Sequence, residues 1–284
     1  MSKLVQCIPN FSEGCDTTII NALVDTAKNV PGVTLLDYSS DASHNRSVFT
    51  LVGSPQGIAE AAFLLCKLAS EKIDMTKHKG EHPRMGATDV IPFVPIKNMT
   101  TEECVELSKT VASRINKELN IPIFLYEDSC TKETRRNLAA VRKGQFEGMP
   151  QKLKEADWAP DYGDREIHPT AGITAVGARM PLIAFNVNLS TSDINIANQI
   201  AKSVRGSSGG LKYCKGIGVM LEDKNIAQVS MNLVNYEGTP IYRVFEMIKS
   251  EAKRYGVSVI GSELIGLAPA KALIDTAEYY LQIE

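Results

Sequence analysis

The order of the predicted elements is the feature that most constrains the fold, because it occurs twice along the chain. Hydrophobic periodicity in the first half predicts the order β-α-β-β-α-β, at 4–9, 17–29, 33–38, 48–52, 55–73 and 90–96. The second half repeats this order between a strand at 182–189 and a strand at 257–261. Such an order is typical of the ferredoxin-like motif. We therefore predict an α+β chain of two ferredoxin-like (β-α-β-β-α-β) subdomains, residues 1–178 and 179–284, packed around a ligand cleft.

Several segments have patterns of their own. A helix at 101–119 and a strand at 122–126 follow the first repeat, and a charged stretch with short helical pieces covers 130–165. Two prolines in the strand at 90–96 each remove a ladder donor, which predicts an edge or irregular strand. The small, glycine-bearing residues 170–179 fit either a tight linker between subdomains or a place where a flat ligand approaches the backbone.

Composition and charge exclude several classes of protein. Apolar residues make up 44% of the 284 residues and charged residues 23%, as in an ordinary soluble globular protein. A net charge of −2 predicts neither a nucleic-acid partner nor a membrane partner, and no apolar run has the length of a membrane span. The first residues lack the apolar stretch of a signal peptide and the six cysteines are scattered, so we predict reduced thiols in a cytoplasmic protein.

The segment His78–Asp89 is the main candidate for chemistry. Within twelve residues it contains two of the four histidines, two cations, two acids, two glycines and a proline. Imidazole moves protons near neutral pH, so His82 or His78 could be a general acid/base, although a solvated loop with surface histidines fits the spacing equally well. Gly80 and Pro83 argue against a helix that would place both imidazoles on one metal ion, and no third ligand is evident. We predict no metal site.

Four other residues are candidates for binding a polar or anionic ligand. Arg46 lies in a polar loop between two strands, where it could hold a carboxylate or form a surface ion pair. Arg84 could face an anionic substrate. Asn186 and Asn188 alternate with apolar residues along one strand, so both amides point to one face. They could contact a ligand there or simply lie on the solvated face of the sheet.

Four blocks of sequence carry a resemblance to a known family: VQCIPNFSEG (5–14), HKGEHPRMGA (78–87), ADWAPDYG (156–163) and GARMPLIAFNVNL (177–189). On these blocks the chain resembles the glutamate formiminotransferase domain essentially from end to end. In animals that domain is fused to a cyclodeaminase. Because this chain ends near residue 284, we expect no cyclodeaminase domain in it.

The resemblance implies a fold, an activity and partners. It implies two similar α+β subdomains, a homodimer and a folate site in the cleft between the subdomains. The implied reaction moves a formimino group from N-formimino-L-glutamate to tetrahydrofolate during histidine degradation. Tetrahydrofolate is then a co-substrate, and no metal or redox cofactor is needed.

The resemblance also assigns residues. It places the catalytic histidine at His82, which would act as the single general acid/base. Our own candidates for the cations that the carboxylates of glutamate and folate need are Arg46, Lys79, Arg84 and Arg179. The family often has an acidic residue at position 39, where this chain has Ser39, so Asp41, two residues further on, is a further candidate. The implied folate-binding segment comprises Gly163, Asp164, Arg165, Glu166, Ile167, His168, Pro169, Thr170, Ala171 and Gly172.

Two other functions stay open from the sequence. One is a different folate enzyme on the same scaffold, such as an ATP-dependent 5-formyltetrahydrofolate cyclo-ligase. The other is a folate-binding protein without catalysis. The carboxylate that would orient His82 is also left undetermined.

Overall fold

A computed structural model describes residues 2–222 and 224–283. The chain divides into two compact units, which meet in sequence between Arg179 and Met180. Each unit has its own sheet and helices, so the fold is mixed α+β with two sheets, as predicted. None of the helices in the described ranges combines the length and apolar character needed to cross a membrane.

The first unit contains most of the secondary structure. Its strands are β1 (Leu4–Cys7), β2 (Asn10–Phe11), β3 (Val33–Asp41), β4 (Arg46–Gly53), β5 (Thr88–Lys97), β6 (Ile123–Glu127) and β7 (Thr174–Ala178). Its α-helices are α1 (Thr17–Lys28), α2 (Pro55–Lys72), α3 (Thr101–Leu119), α4 (Leu138–Arg142) and α5 (Gln145–Lys152). Local signals explain the helix starts: Asp16 caps α1, Ser54 caps α2 before Pro55, and Thr100 forms a capping box with Glu103.

The seven strands form one sheet. Strands β1 and β2 occupy one strand position of the sheet, one after the other. On one side of them lie β4 and then β3, and on the other side lies β5. Beyond β5 lie β7 and then β6, both joined in parallel, whereas the other pairs are antiparallel. The order across the sheet is therefore β3, β4, β1/β2, β5, β7, β6.

Strand β5 is central, so the edge-strand alternative predicted from its two prolines is wrong, whereas its register shifts against β1 and β2 agree with the irregular-strand alternative. Ile8 N donates to the carbonyl of Pro92, and a strand residue points its nitrogen to the same side as its carbonyl. The missing donor of Pro92 therefore faces residues 8–9, where β1 and β2 are interrupted. Pro95 faces the other neighbour, β7, which has already ended at Ala178 opposite Phe93. Both prolines lie where the ladder lacks a partner.

Residues 174–178 are a buried strand between β5 and β6, so the linker prediction for this stretch is wrong. The sequence TAVGA has small side chains because both faces of the sheet are covered here. One face packs on α1, α2 and α3. On the other, Ala175 and Val90 pack with residues of α4 and α5. Helices α4 and α5 come from the charged stretch 130–165, and they bring that stretch to the face that carries the candidate site.

The second unit has the predicted order of elements, followed by one more helix. It consists of β8 (Ile183–Leu189), α6 (Ile194–Val204), β9 (Cys214–Leu221), β10 (Ile226–Leu233), α7 (Ile241–Arg254), β11 (Val259–Ile265) and α8 (Ala270–Leu281). The four strands lie in the order β11, β8, β10, β9, and all pairs are antiparallel. Alternate residues of β8 are buried against the helices, which explains its period of two.

Candidate active site

The turn between β3 and β4 is fastened to the segment that contains His82. Asn45 has a left-handed backbone (φ 46°), which its short polar side chain tolerates. Its Oδ1 accepts from Gly14 N at 2.8 Å and its Nδ2 donates to the carbonyl of Lys79 at 2.8 Å. A side chain on Gly80 would overlap the carbonyl of His44, so only glycine permits this close approach. These contacts fix where the two segments meet.

Asp41 orients His44. Its Oδ1 lies 2.8 Å from His44 Nδ1 and accepts from His44 N at 2.7 Å. These hydrogen bonds, the backbone one first, lower the pKa of Asp41, so the group is a carboxylate and His44 Nδ1 is the donor. The His44 and His82 rings are 6.4 Å apart. Asp41, the acid two residues after position 39, therefore holds His44. Within the described ranges, the His82 ring has no hydrogen bond to a carboxylate.

His82 lies half-buried in cationic surroundings. Burial, and next the charges of Arg46, Arg142 and His44 in that order, together lower its pKa to about 3. The imidazole is therefore neutral at neutral pH and has a free lone pair. A neutral imidazole beside guanidinium groups can accept a proton and can lie next to a bound anion.

Two arginines come from distant parts of the sequence. Arg46 begins β4 and is half-buried, and its guanidinium donates to none of the described residues. Burial, and next the charge of Arg142, lower the pKa of Arg46. Arg142 ends α4 and donates through Nε to Asp89 Oδ2 at 2.7 Å. Asp89, at the start of β5, is only 2% exposed and also accepts from Met85 N at 2.9 Å.

Lys152 fixes the end of α4. Its ammonium donates to the carbonyls of Ala140 (2.6 Å), Val141 (2.7 Å) and Lys143 (3.1 Å), and it lies 3.7 Å from the centre of the Trp158 ring. These acceptors are backbone carbonyls at the C-terminal end of α4 and just beyond it, where carbonyls lack some of their helical partners. Burial lowers the pKa of Lys152 to about 8. These contacts of Lys152 hold the end of α4 in place, and with it Arg142, the last residue of that helix.

Arg84 is buried, and all its donors have partners. Nε donates to His78 Nδ1 (3.0 Å), and the two terminal nitrogens donate to Gln145 Oε1 (3.0 Å), to the carbonyl of His78 (3.3 Å) and to both carboxylate oxygens of Glu147 (2.7 and 2.9 Å). The other ring nitrogen of His78 lies 3.0 Å from the carbonyl of Asn45. Since Nδ1 is an acceptor, His78 carries its proton on Nε2 and donates to that carbonyl.

The segment implied to bind folate has an exposed part and an anchored part. Residues 163–166 are exposed. In the anchored part, His168 Nδ1 accepts from Ala171 N at 3.0 Å, and Ala87 N donates to the carbonyl of Ala171 at 2.9 Å. Gly172 has φ +71°, and a side chain there would overlap the carbonyl of Met85. This end of the segment therefore lies directly against the strand that follows His82.

The remaining predicted site residues lie elsewhere. Lys79 is exposed, next to the Asn45 contact. Arg179 follows β7, where its backbone N donates to the carbonyl of Phe93 and its side chain reaches Tyr126. Asn186 and Asn188 lie in the second unit on one face of β8, and Asn188 Oδ1 accepts from Gln228 at 2.7 Å. None of these contacts involves His82.

Three charged residues at the site were not identified from the sequence: Asp89, Arg142 and Glu147. Asp89 offered a signal, because a carboxylate at the start of a buried apolar strand needs a cation. Arg142 and Glu147 lie in short helices whose pattern predicts no face. In the described ranges, no group of three or more His, Cys, Asp or Glu side chains is arranged to hold a metal ion.

Fold and site together define a class of protein. It has two α+β units, and in the first unit a neutral imidazole lies among cationic side chains, next to the turn between β3 and β4. Comparison with known proteins identifies the family. The model described as the formiminotransferase domain, N-terminal subdomain, matches residues 4–179, and the model described as the formiminotransferase domain matches residues 184–284. The chain belongs to the formiminotransferase family.

Named relatives agree with this assignment. The chain is 75% identical to glutamate formimidoyltransferase from Streptococcus pyogenes serotype M1, over 100% of the chain and 95% of that protein. It is 46% identical to glutamate formimidoyltransferase from Thermoplasma acidophilum, over 99% and 93%. It is 45% identical to formimidoyltransferase-cyclodeaminase from Gallus gallus, where it spans 53% of that protein's length.

Proposed function

We propose that this chain transfers the formimino group of N-formimino-L-glutamate to tetrahydrofolate, giving 5-formiminotetrahydrofolate and L-glutamate in histidine degradation. The observation that carries the proposal is the 75% identity to a glutamate formimidoyltransferase over the full chain. The geometry around His82 explains how the chain would perform the reaction.

His82 would move one proton. Tetrahydrofolate supplies the nucleophilic nitrogen, a bond forms between that nitrogen and the amidine carbon, and the bond from this carbon to the glutamate nitrogen breaks. His82 takes the proton from the attacking nitrogen and returns it to the departing amine, so no proton is gained or lost overall. General acid/base catalysis of this kind contributes about 10²–10⁴-fold in rate. The lowered pKa of His82 suits the first of these transfers, because the imidazole starts unprotonated.

Arg46 and Arg142 would bind the carboxylates of the substrate. The charges of Arg46 and Arg142 both act on His82, and the charge of Arg142 also acts on Arg46, so the two guanidinium groups lie close to the imidazole and to each other. Arg46 has no hydrogen-bonded partner among the described residues, and Arg142 uses one edge of its guanidinium on Asp89. A carboxylate bound here offsets both positive charges and raises the pKa of His82. Substrate binding thereby prepares the imidazole to carry the proton.

We also infer that residues Gly163–Gly172 bind folate and that both units have the ferredoxin-like topology. Anchoring of Ala171 against Ala87 supports the first inference, because it brings the segment next to the His82 loop. Strand order supports the second: in each unit the last strand of the β-α-β-β-α-β run lies beside the first, followed by the third and the second.

A cytoplasmic homodimer completes the proposal. The six cysteines are free thiols, as is usual in reducing compartments. Apolar side chains such as Ile274 and Leu281 are exposed on α8, and exposed apolar groups often mark contact surfaces. Sedimentation equilibrium measures the mass directly, and a monomer at micromolar concentration would exclude the dimer.

A coupled assay tests the reaction. Purified protein is supplied with N-formimino-L-glutamate and tetrahydrofolate, with and without ATP, and both 5-formiminotetrahydrofolate and free glutamate are measured. The proposal predicts equal amounts of the two products without ATP. Turnover of 5-formyltetrahydrofolate only with ATP would instead identify a cyclo-ligase. Tetrahydrofolate binding by calorimetry without turnover of any one-carbon donor would identify a folate-binding protein.

A further inference from the structure

Arg84 has no donor left for a substrate. A guanidinium has five N–H groups, and here each one has an acceptor: two on Glu147, one on Gln145 and two on His78. The side chain is only 8% exposed. Releasing it toward a ligand would break the bidentate ion pair with Glu147 and the two hydrogen bonds to His78, which is costly for a buried guanidinium.

Arg84, directly or through His78, joins three segments that each contain or adjoin a residue of the site. His82 precedes Arg84 by two residues. Glu147 lies in α5, which follows the helix that ends at Arg142. His78 connects Arg84 to the carbonyl of Asn45, the residue before Arg46. A backbone bond from Phe146 N to the carbonyl of Arg84 (2.9 Å) reinforces the junction.

We propose that Arg84 is a positioning residue, which holds His82 between Arg46 and Arg142 through its bonds to His78 and Glu147. We name the set His78, Arg84 and Glu147 the latch. The predicted effect of the latch on turnover rests on the proposed function. Its predicted effect on the surroundings of His82 does not, because those surroundings exist without substrate.

Glu147 allows the latch to be separated from substrate binding. Its side chain is 64% exposed, and its contact with the site runs through Arg84. The latch therefore predicts that changing Glu147 slows turnover. If Arg84 instead anchors substrate, as its position in the sequence suggested, freeing it from Glu147 would leave turnover unchanged or improve binding.

The test uses R84K, E147Q and the double variant. Lysine keeps the charge but loses the planar fork, and glutamine keeps the size but loses the charge. We expect kcat to fall about 10–100-fold in R84K, in line with the cost of misplacing a catalytic group. We expect a smaller fall in E147Q, with KM for N-formimino-L-glutamate changed less than threefold in both. The double variant should be no slower than R84K, because both changes break the same unit.

Matched controls are R136K and E133Q, a surface arginine and glutamate paired at 3.1 Å in the same unit. Both should retain wild-type kcat. A rise in KM of tenfold or more with kcat retained in R84K would overturn the latch and restore the substrate-anchor hypothesis. Wild-type kcat in E147Q would also overturn it, and this surface variant keeps the test decisive if R84K fails to fold.

A second measurement does not depend on turnover. The pKa of His82 is followed by NMR on protein with labelled histidine, and its signal is assigned by comparison with His82→Gln. The groups that face His82 are Arg46, Arg142 and His44. If the latch holds His82 among them, R84K raises the pKa of His82 toward its ordinary value, and R136K leaves it unchanged. An unchanged pKa in R84K contradicts the latch. A raised pKa in a protein without formimino transfer supports the latch and refutes the proposed function.

Discussion

The ion pair of Asp89 and Arg142 gives the sharpest stability prediction. In Asp89→Asn the amide keeps the acceptor for Met85 N but places an NH₂ group against the guanidinium, which then lacks a counter-charge. Breaking a fully buried pair costs about 3–5 kcal/mol. Asp89 is 3% exposed but Arg142 is 17% exposed, so water can partly solvate the stranded cation. We therefore expect a loss of about 2–3 kcal/mol in the free energy of unfolding.

Urea denaturation measures this loss. The only tryptophan, Trp158, lies in the first unit against Phe124, so its fluorescence follows the unfolding of that unit. With a slope of about 2 kcal/mol per molar urea, the midpoint should fall by about 1–1.5 M. Asp128→Asn, which breaks an exposed pair, is the control and should cost less than about 1 kcal/mol. A loss in Asp89→Asn no larger than in the control would refute the reasoning that this pair is buried and holds Arg142.

Three further predictions concern the same region. Gly172→Ala should destabilise the protein by about 2–4 kcal/mol in urea titrations, because the residue has φ +71° and its new methyl group would meet Met85 O; a loss below 1 kcal/mol would contradict the close packing. Millimolar glutarate should raise the pKa of His82 above about 3 in NMR titrations, and an unchanged pKa would exclude a carboxylate bound beside it. The hydrogen-bonded Arg84 lowers the pKa of Glu147 to about 2. The wild type should therefore have a larger free energy of unfolding than E147Q above pH 4.5, and this difference should disappear as the pH falls toward 2. A difference that does not depend on pH would contradict the ion pair of Arg84 and Glu147.

Local periodicity was sufficient to predict most of the secondary structure. Helices and strands such as α3 and β10 have a strong period of 3.6 or 2, so their positions follow from side-chain pattern. The place of a strand in its sheet depends on partners far away in the sequence. The prolines of β5 predicted an edge or irregular strand, and its central place is explained by the break between β1 and β2 opposite Pro92 and by the end of β7 before Pro95.

The site was predictable only where its residues share one segment. The density of polar residues around His82 indicated a site, and the family resemblance selected His82 within it. Arg142 lies in a helix of five residues, which is too short to show periodicity, and Glu147 lies in the helix that follows it. That Asp41 would orient His44 also could not be predicted, since it depends on how the turn between β3 and β4 folds.

The kcat of His82→Ala tests the central claim most directly. It is measured at saturating N-formimino-L-glutamate and tetrahydrofolate, with urea denaturation to confirm that the variant is folded. If His82 carries the proton between the two nitrogens, kcat falls by about 10²–10⁴-fold. A fall of less than tenfold in a folded variant would contradict the claim.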